Sequence, residues 1–345
     1  MLGTHMDLAN GLRVLVDWID FTITKNMEVH EVIDFLGYAV DQFSERSCGG
    51  RGYKDSLQLK GYSLLIYYNG NEGMGIHVSI SGSCITNFFC AFQKRYSVLT
   101  PFGSARDTVD LDSLVFLDFL KRVQSIGHFT RLDVAVDDIG AKYFSVHDVV
   151  CLMDNLSYVS RFRKWTQIKT CDSNGLVVGH TVNLGSRQSE IFLRVYDKQL
   201  EQNSKIENAE NKIKNKWVRW ELELKQGRAQ QFVAKLLSGL SLGDTVVGVL
   251  SYYIRFINLD NVQKFRCSTL ALWEEFTCSI TKLRLAVTFP ITTYERKKFW
   301  LKRSVAPTLY AVSEIEGSID MLYDLLEYGS LRQNALLRDM VSQYA

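Results

Sequence analysis

Three short stretches hold residues that could do chemistry together. In "RLDVAVDD" (131–138), strand alternation sends Leu132, Val134 and Val136 to one face and Arg131, Asp133 and Asp137 to the other. In "WVRWELELK" (217–225), Val218, Trp220, Leu222 and Leu224 share a face opposite Arg219, Glu221, Glu223 and Lys225. In "EIFLRVYDK" (190–198), Ile191, Leu193 and Val195 oppose Phe192, Arg194, Tyr196 and Lys198. Each stretch therefore has an apolar side suited to a core and a polar side loaded with carboxylates, cations and one phenol.

Such a polar side is ordinary in an antiparallel sheet, where acids and bases form cross-strand pairs, and periodicity alone does not make the three strands neighbours. If they are neighbours, the chemistry becomes specific. Asp133, Asp137, Glu221 and Glu223 offer hard oxygen ligands of the kind Mg²⁺ or Mn²⁺ prefers. A metal held there would polarise a phosphoryl group. Tyr196 then has a reason to stand on that face, as a nucleophile that forms a covalent phosphotyrosine. Arg194, Arg131 and Arg219 are placed to clamp the phosphate.

The elements that must position these residues are legible as periodicities. Strand patterns occur at about 13–24, 57–68, 75–81, 128–138, 162–170, 176–184, 189–198 and 217–225. Helical stripes run through 26–43, 111–124 and 145–156. Strands and helices are interspersed rather than strictly alternating. The expected fold is α+β, a largely antiparallel sheet covered by helices on one face, with the active site on the other. After Pro290 the pattern turns helical, with Gly329 as an expected helix stop. The expected organisation is a cloning remnant at 1–5, a catalytic domain at 6–288 and a helical C-terminal subdomain at 289–345.

Composition restricts the classes. The chain has 345 residues, 46% of them hydrophobic, enough for a full core. No window approaches a membrane span, and the N-terminus lacks the basic and apolar regions of a signal peptide. Seven scattered cysteines without a C-x-x-C pair favour free thiols, hence a cytoplasmic location. The net charge is only +2, so any case for nucleic acid has to be local. Candidate DNA contacts are Arg131, Arg219, Lys198, Lys225 and Arg187 on or beside the loaded strands. Arg51 and Lys54 in the glycine-rich "SCGGRGYKDS" (47–56) join them, with a plain loop as the alternative there.

"GSRQSEIFLRVYDKQLEQ", "HFTRLDVAVDD" and "KWVRWELELKQGRAQQF" resemble the three characteristic blocks of the Rep_trans family, rolling-circle replication initiators of Gram-positive plasmids and related relaxases of integrative and conjugative elements. "VDWIDFTIT" and "FWLKRSVAPTLYAV" fit the same pattern. The resemblance implies a site-specific, metal-dependent DNA nickase whose tyrosine joins the 5′ phosphate and leaves a free 3′ hydroxyl. On this sequence it implies Tyr196 as that tyrosine and Asp133, Glu221 and Glu223 as metal ligands; Asp137 is added from strand phase. It further implies origin DNA with an inverted repeat or hairpin and a single-stranded nick site, a UvrD-type helicase, and a homodimer.

Rival readings ask for other residues. A His-hydrophobic-His nickase needs two histidines two apart, and the six here contain no such pair. A tyrosine recombinase would use an arginine/histidine cluster without metal. A DNA-binding sheet that does not cut suits Phe192 and the basic segments at 212–228 and 294–303, but its excess carboxylate would repel phosphate unless a cation lay between.

Overall fold

The computed structural model describes residues 5–8, 10–96, 114–206, 208–278, 283, 285, 294–333, 337–338 and 341–342. In chain order the first half contains β1 (His5–Asp7), β2 (Arg13–Ile23), α1 (Val29–Phe35), β3 (Phe43–Glu45), β4 (Asp55–Leu59), β5 (Leu64–Tyr68), β6 (Ile76–Ser81), α2 (Cys84–Tyr96), α3 (Leu114–Ile126) and β7 (Gly127–Ile139). There follow α4 (Val146–Asp154), β8 (Tyr158–Ser160), β9 (Trp165–Cys171), β10 (Val177–Gly185), β11 (Ile191–Asp197), α5 (Lys198–Asn203), β12 (Trp217–Lys225), α6 (Gln226–Leu237), α7 (Leu242–Tyr253), β13 (Ile254–Phe256) and α8 (Ala271–Phe276).

Eleven strands form one sheet in the order β3-β4-β5-β6-β2-β7-β12-β11-β10-β9, with β1 also on β2. Every pairing in it is antiparallel. The short strands β8 and β13 pair separately. The fold class expected from the periodicities is therefore the one observed. His5, the last residue of the expected remnant 1–5, begins β1 and pairs with Leu15.

The aliphatic phase of the long strands is the core. Val14, Val16, Ile19, Phe21, Leu132, Val134, Val136, Leu222 and Trp220 are all essentially inaccessible and form one cluster with side chains of α2, α3, α4, α6 and α7. Under β2 and β7 the filling is aromatic: Phe119 meets Phe21, Phe88, Phe89, Phe92 and Phe129, mostly edge to face. Under β12, Trp220 packs on Trp273, Phe256 and Phe276. Such edge and tilted pairs add about 0.5–1.5 kcal/mol each beyond area burial.

Several helices start where local chemistry dictates. Ser145 and Asp148 make a reciprocal capping box on α4 (3.2 Å and 2.9 Å), and Ser241 caps α7 through the amide of Asp244 at 3.0 Å. Elsewhere the periodicities overran. The helix expected over 26–43 ends as α1 at Phe35, because Gly37 takes φ +85° and lies so near α2 that a Cβ would stand 2.7 Å from the Ala91 carbonyl oxygen. The strand expected over 57–68 is the hairpin β4–β5, turned at Gly61.

Contacts divide the chain into Met1–Ala286 and Val287–Ala345. The second unit contains α9 (Tyr294–Trp300), a π-helical stretch Leu301–Val305, α10 (Ala306–Glu316) and α11 (Asp320–Ser330). Gly317, at φ +65°, ends α10, whereas Gly329 lies inside α11 instead of stopping it.

Candidate active site

The three loaded strands are adjacent: β7, β12 and β11 are consecutive in the sheet. Register sets Glu223 opposite Asp133, Arg219 opposite Asp137, Glu221 opposite Arg194 and Arg219 opposite Tyr196. All seven therefore share the face turned away from the core, as their strand phase requires.

The Tyr196 hydroxyl donates to Glu221 Oε2 at 3.0 Å. Tyr196 is the penultimate residue of β11, and Asp197 immediately caps α5 by accepting from the Leu200 amide at 2.9 Å. That cap ends the strand one residue past the phenol. Burial, and then the charge of Glu221, push the Tyr196 phenol well above its usual range, while Arg219 pulls the other way. The hydroxyl is therefore protonated at neutral pH, with a carboxylate already in hydrogen-bond contact.

The polar face is far less open than an ordinary outer face. Asp133 and Glu221 are each only 1% exposed, since arginines cover them. Arg131 donates Nε to Asp133 Oδ1 (2.8 Å) and Nη2 to Asp133 Oδ2 (2.6 Å) and Glu223 Oε2 (3.0 Å). Arg194 pairs with Glu221, and Lys225 with Glu223. Burial pushes the Asp133 carboxyl up to about 7; Arg131 opposes the shift and the nearby charges of Glu221 and Glu223 add to it.

Several expected roles need correction. Asp137 does not join the other carboxylates. It lies four residues along β7 from Asp133, about 13 Å at the usual strand rise, and Arg219 holds both its oxygens, at 2.6 Å and 2.8 Å. Arg219 gives its remaining Nη1 to Asp17 at 2.9 Å and is itself buried, so its fork is occupied by acids and is no phosphate clamp. Arg131 is likewise engaged, across Asp133 and Glu223. Among the described residues, no group of three His, Cys, Asp or Glu side chains is arranged as a ready metal cage. The donor chemistry nonetheless suits a hard divalent ion: Asp133 and Glu223 are opposed hard oxygens, and the Glu223 charge adds to the burial that raises Asp133. A cation there would have to displace Arg131 from them.

The peripheral cations are scattered. Lys198 pairs with Glu201 at 2.6 Å and lies 5.5 Å from the Tyr196 ring centre. Lys225 also donates to the Arg187 carbonyl, and Arg187 sits 6.0 Å from the Phe192 ring. Lys54 is exposed.

Strand phase alone missed the contribution of β2. Between Val16 and Trp18 the pairing with β7 slips by one residue, which leaves Asp17 as an extra residue beside Trp18. Asp17 thereby reaches Arg219. Trp18 lies under Arg131, whose guanidinium carbon is 4.4 Å from the ring centre, and its Nε1 donates to Asp20 Oδ1 at 2.5 Å. Asp20, opposite Arg131, is held by Arg51 and neighbours His77. The bulge has a signature in the sequence: the core positions Val16 and Ile19 are three apart where a regular strand needs two.

Comparison with known proteins points the same way as the geometry. The family described as replication initiation factor, Rep_trans, matches residues 127–326. A Bacillus subtilis (strain 168) protein that carries the name DNA relaxase NicK is 28% identical over 305 residues, which is 88% of this chain and 81% of that protein. The solved structure of a rolling circle replication initiator protein from Geobacillus stearothermophilus superposes with a TM-score of 0.63 at 26% identity, over 81% of this chain and all of that one.

Proposed function

Because the chain belongs to the Rep_trans family of replication initiation factors, we propose that it nicks one DNA strand to initiate rolling-circle replication of a plasmid, through a covalent tyrosyl intermediate. The observation that carries this reading is the hydrogen bond from Tyr196 to Glu221 Oε2, on a face where strand order gathers acids and arginines. In the proposed step the Tyr196 oxygen attacks a backbone phosphorus and forms the 5′-phosphotyrosyl bond. The bond from phosphorus to the 3′ oxygen breaks, and that oxygen takes a proton from water to become the free 3′ hydroxyl. Glu221 Oε2 receives the phenolic proton. Arg194, paired with Glu221 and beside the phenol, holds the acceptor in place.

Asp133 and Glu223 are the residues we propose hold Mg²⁺ or Mn²⁺; Glu221, which the resemblance implies as a further ligand, we assign instead to the phenolic proton. A divalent ion there would polarise a phosphoryl oxygen. Origin DNA with an inverted repeat or hairpin, a UvrD-type helicase and a second copy of the chain are the partners this function calls for, and the cytoplasm is where it would act.

A second reading, a relaxase of an integrative and conjugative element, uses the same chemistry and is favoured by the similarity to the Bacillus subtilis protein over most of both chains. The experiment that tests the shared chemistry is incubation with supercoiled DNA carrying a candidate origin and Mg²⁺. Nicked circles with protein on the 5′ end are expected, and EDTA should abolish them. Nicking undiminished in EDTA would end the metal assignment; protein on the 3′ end would end the mechanism.

A further inference from the structure

The turn that carries Arg51 is built against the ordinary preferences of its backbone. Gly50 and Tyr53 pair across it, at 3.1 Å and 2.9 Å, and its two central residues, Arg51 and Gly52, have φ of +55° and +90°. Glycine and asparagine favour that conformation; a long side chain does not. Next to the turn, a Cβ on Gly49 would stand 2.1 Å from the Tyr53 carbonyl oxygen.

The strained arginine is aimed at the sheet. Its Nη1 lies 2.6 Å from Asp20 Oδ2 and 2.7 Å from His77 Nε2, and the guanidinium carbon is 5.7 Å from the Tyr67 ring centre. The Asp20 side chain is 2% exposed, that of Arg51 40%. Every polar contact of Arg51 runs through Nη1, so among the described residues its Nε and Nη2 have no partner. Those two nitrogens form the edge of a guanidinium that takes a pair of phosphate oxygens.

We infer that Arg51, anchored by Asp20 and His77, is a second phosphodiester subsite, which holds the DNA strand at a phosphate other than the one Tyr196 attacks. This rests on the DNA-nicking reading. Four strand intervals, β11-β12-β7-β2-β6, separate Tyr196 from His77. At about 4.8 Å each they amount to about 19 Å, too far for one phosphate to touch both. The burial of Asp20 gives the anchor its strength: a nearly inaccessible carboxylate keeps Arg51 in place while the open edge stays in solvent.

The test uses the whole chain and fluorescent dT12, followed by anisotropy across a salt series. Arg51→Ala should lower the slope of log affinity against log salt by about 0.7, the value of one lost phosphate contact on a single strand, and weaken binding about fivefold at 0.1 M salt. Arg51→Lys, which keeps the charge without the fork, should retain the slope and lose affinity. An unchanged slope in Arg51→Ala sinks the subsite alone. Failure of the wild-type chain to bind dT12 sinks the DNA reading and the subsite with it. If Arg51→Ala does not fold, phenylglyoxal labelling of the wild-type chain decides: dT12 should protect Arg51, read by peptide mass spectrometry. Absence of protection, or protection by inorganic phosphate at the same concentration with none from dT12, overturns the assignment to a DNA strand.

Discussion

Tyr196 illustrates how a side chain is kept inert and ready at once. Its phenol is held protonated by burial and by Glu221, and the group that raises it is also the one positioned to remove the proton. Tyr196→Phe deletes only the nucleophilic oxygen and one hydrogen bond, worth about 1 kcal/mol. Denaturing gels with end-labelled origin DNA should show no covalent adduct, while gel-shift affinity stays within about twofold; a persisting 5′ adduct would remove Tyr196 from the mechanism. Asp20 makes a different prediction. Burial alone would raise its carboxyl, but His77, Arg51 and Ser79 hold it down to about 2. A depressed carboxyl stabilises the folded state at pH above its unfolded value of about 3.9, and that stabilisation disappears as pH falls through the folded value. Wild type should therefore exceed Asp20→Asn by about 2 kcal/mol in urea unfolding at pH 6. The gap should close between pH 4 and pH 2, and a gap that widens on acidification would contradict the assignment.

Among the elements, β2 does the most to shape the site, through a single extra residue. Val16 and Ile19 both face the core with Asp17 and Trp18 between them, so removing Asp17 leaves a regular strand with the same residues inside. Deletion of Asp17 should cost the ion pair to Arg219 and the hydrogen bond its carbonyl accepts from the Gly82 amide. Thermal melts should show one cooperative transition within a few degrees of wild type. Inserting one residue after Ile19 instead moves Phe21 and Ile23 to the polar face, and should abolish the cooperative transition altogether. Equal damage from both changes would mean that the bulge is not an independent insertion. Helix α1 shows the complementary constraint: its apolar stripe continues past Leu36, but the approach of α2 at Gly37 does not admit a Cβ. Gly37→Ala should destabilise by more than 1 kcal/mol, since it combines strained φ with a backbone clash.

At the scale of the molecule, among the described residues every member of the hydrophobic core cluster lies at or before Leu285, and the helices α10 and α11 bury no side chain. A chain ending at residue 286 should therefore fold, with a cooperative melt and an intact Tyr196 site. Loss of the transition on truncation would show that the sheet unit depends on residues 287–345 for its stability.

What the sequence determined by itself is the local and periodic part. Alternation in β7, β11 and β12 assigned each side chain to a face, and the residue types there named phosphoryl chemistry before any neighbour was known. A strand's two faces are set by its own backbone, so this information needs no partner. Tertiary structure decided everything that depends on which strand lies beside which, and at what register. It gave Asp137 to Arg219, closed Arg131 over Asp133 and Glu223, and used the bulge to bring Asp17 and Asp20 to the same face. It also carried Arg51 from a distant turn onto Asp20, thirty-one residues earlier in the chain. Cross-strand register and loop approach arise from the packing of the whole sheet, and of these the bulge alone leaves a local trace, the three-residue spacing of Val16 and Ile19.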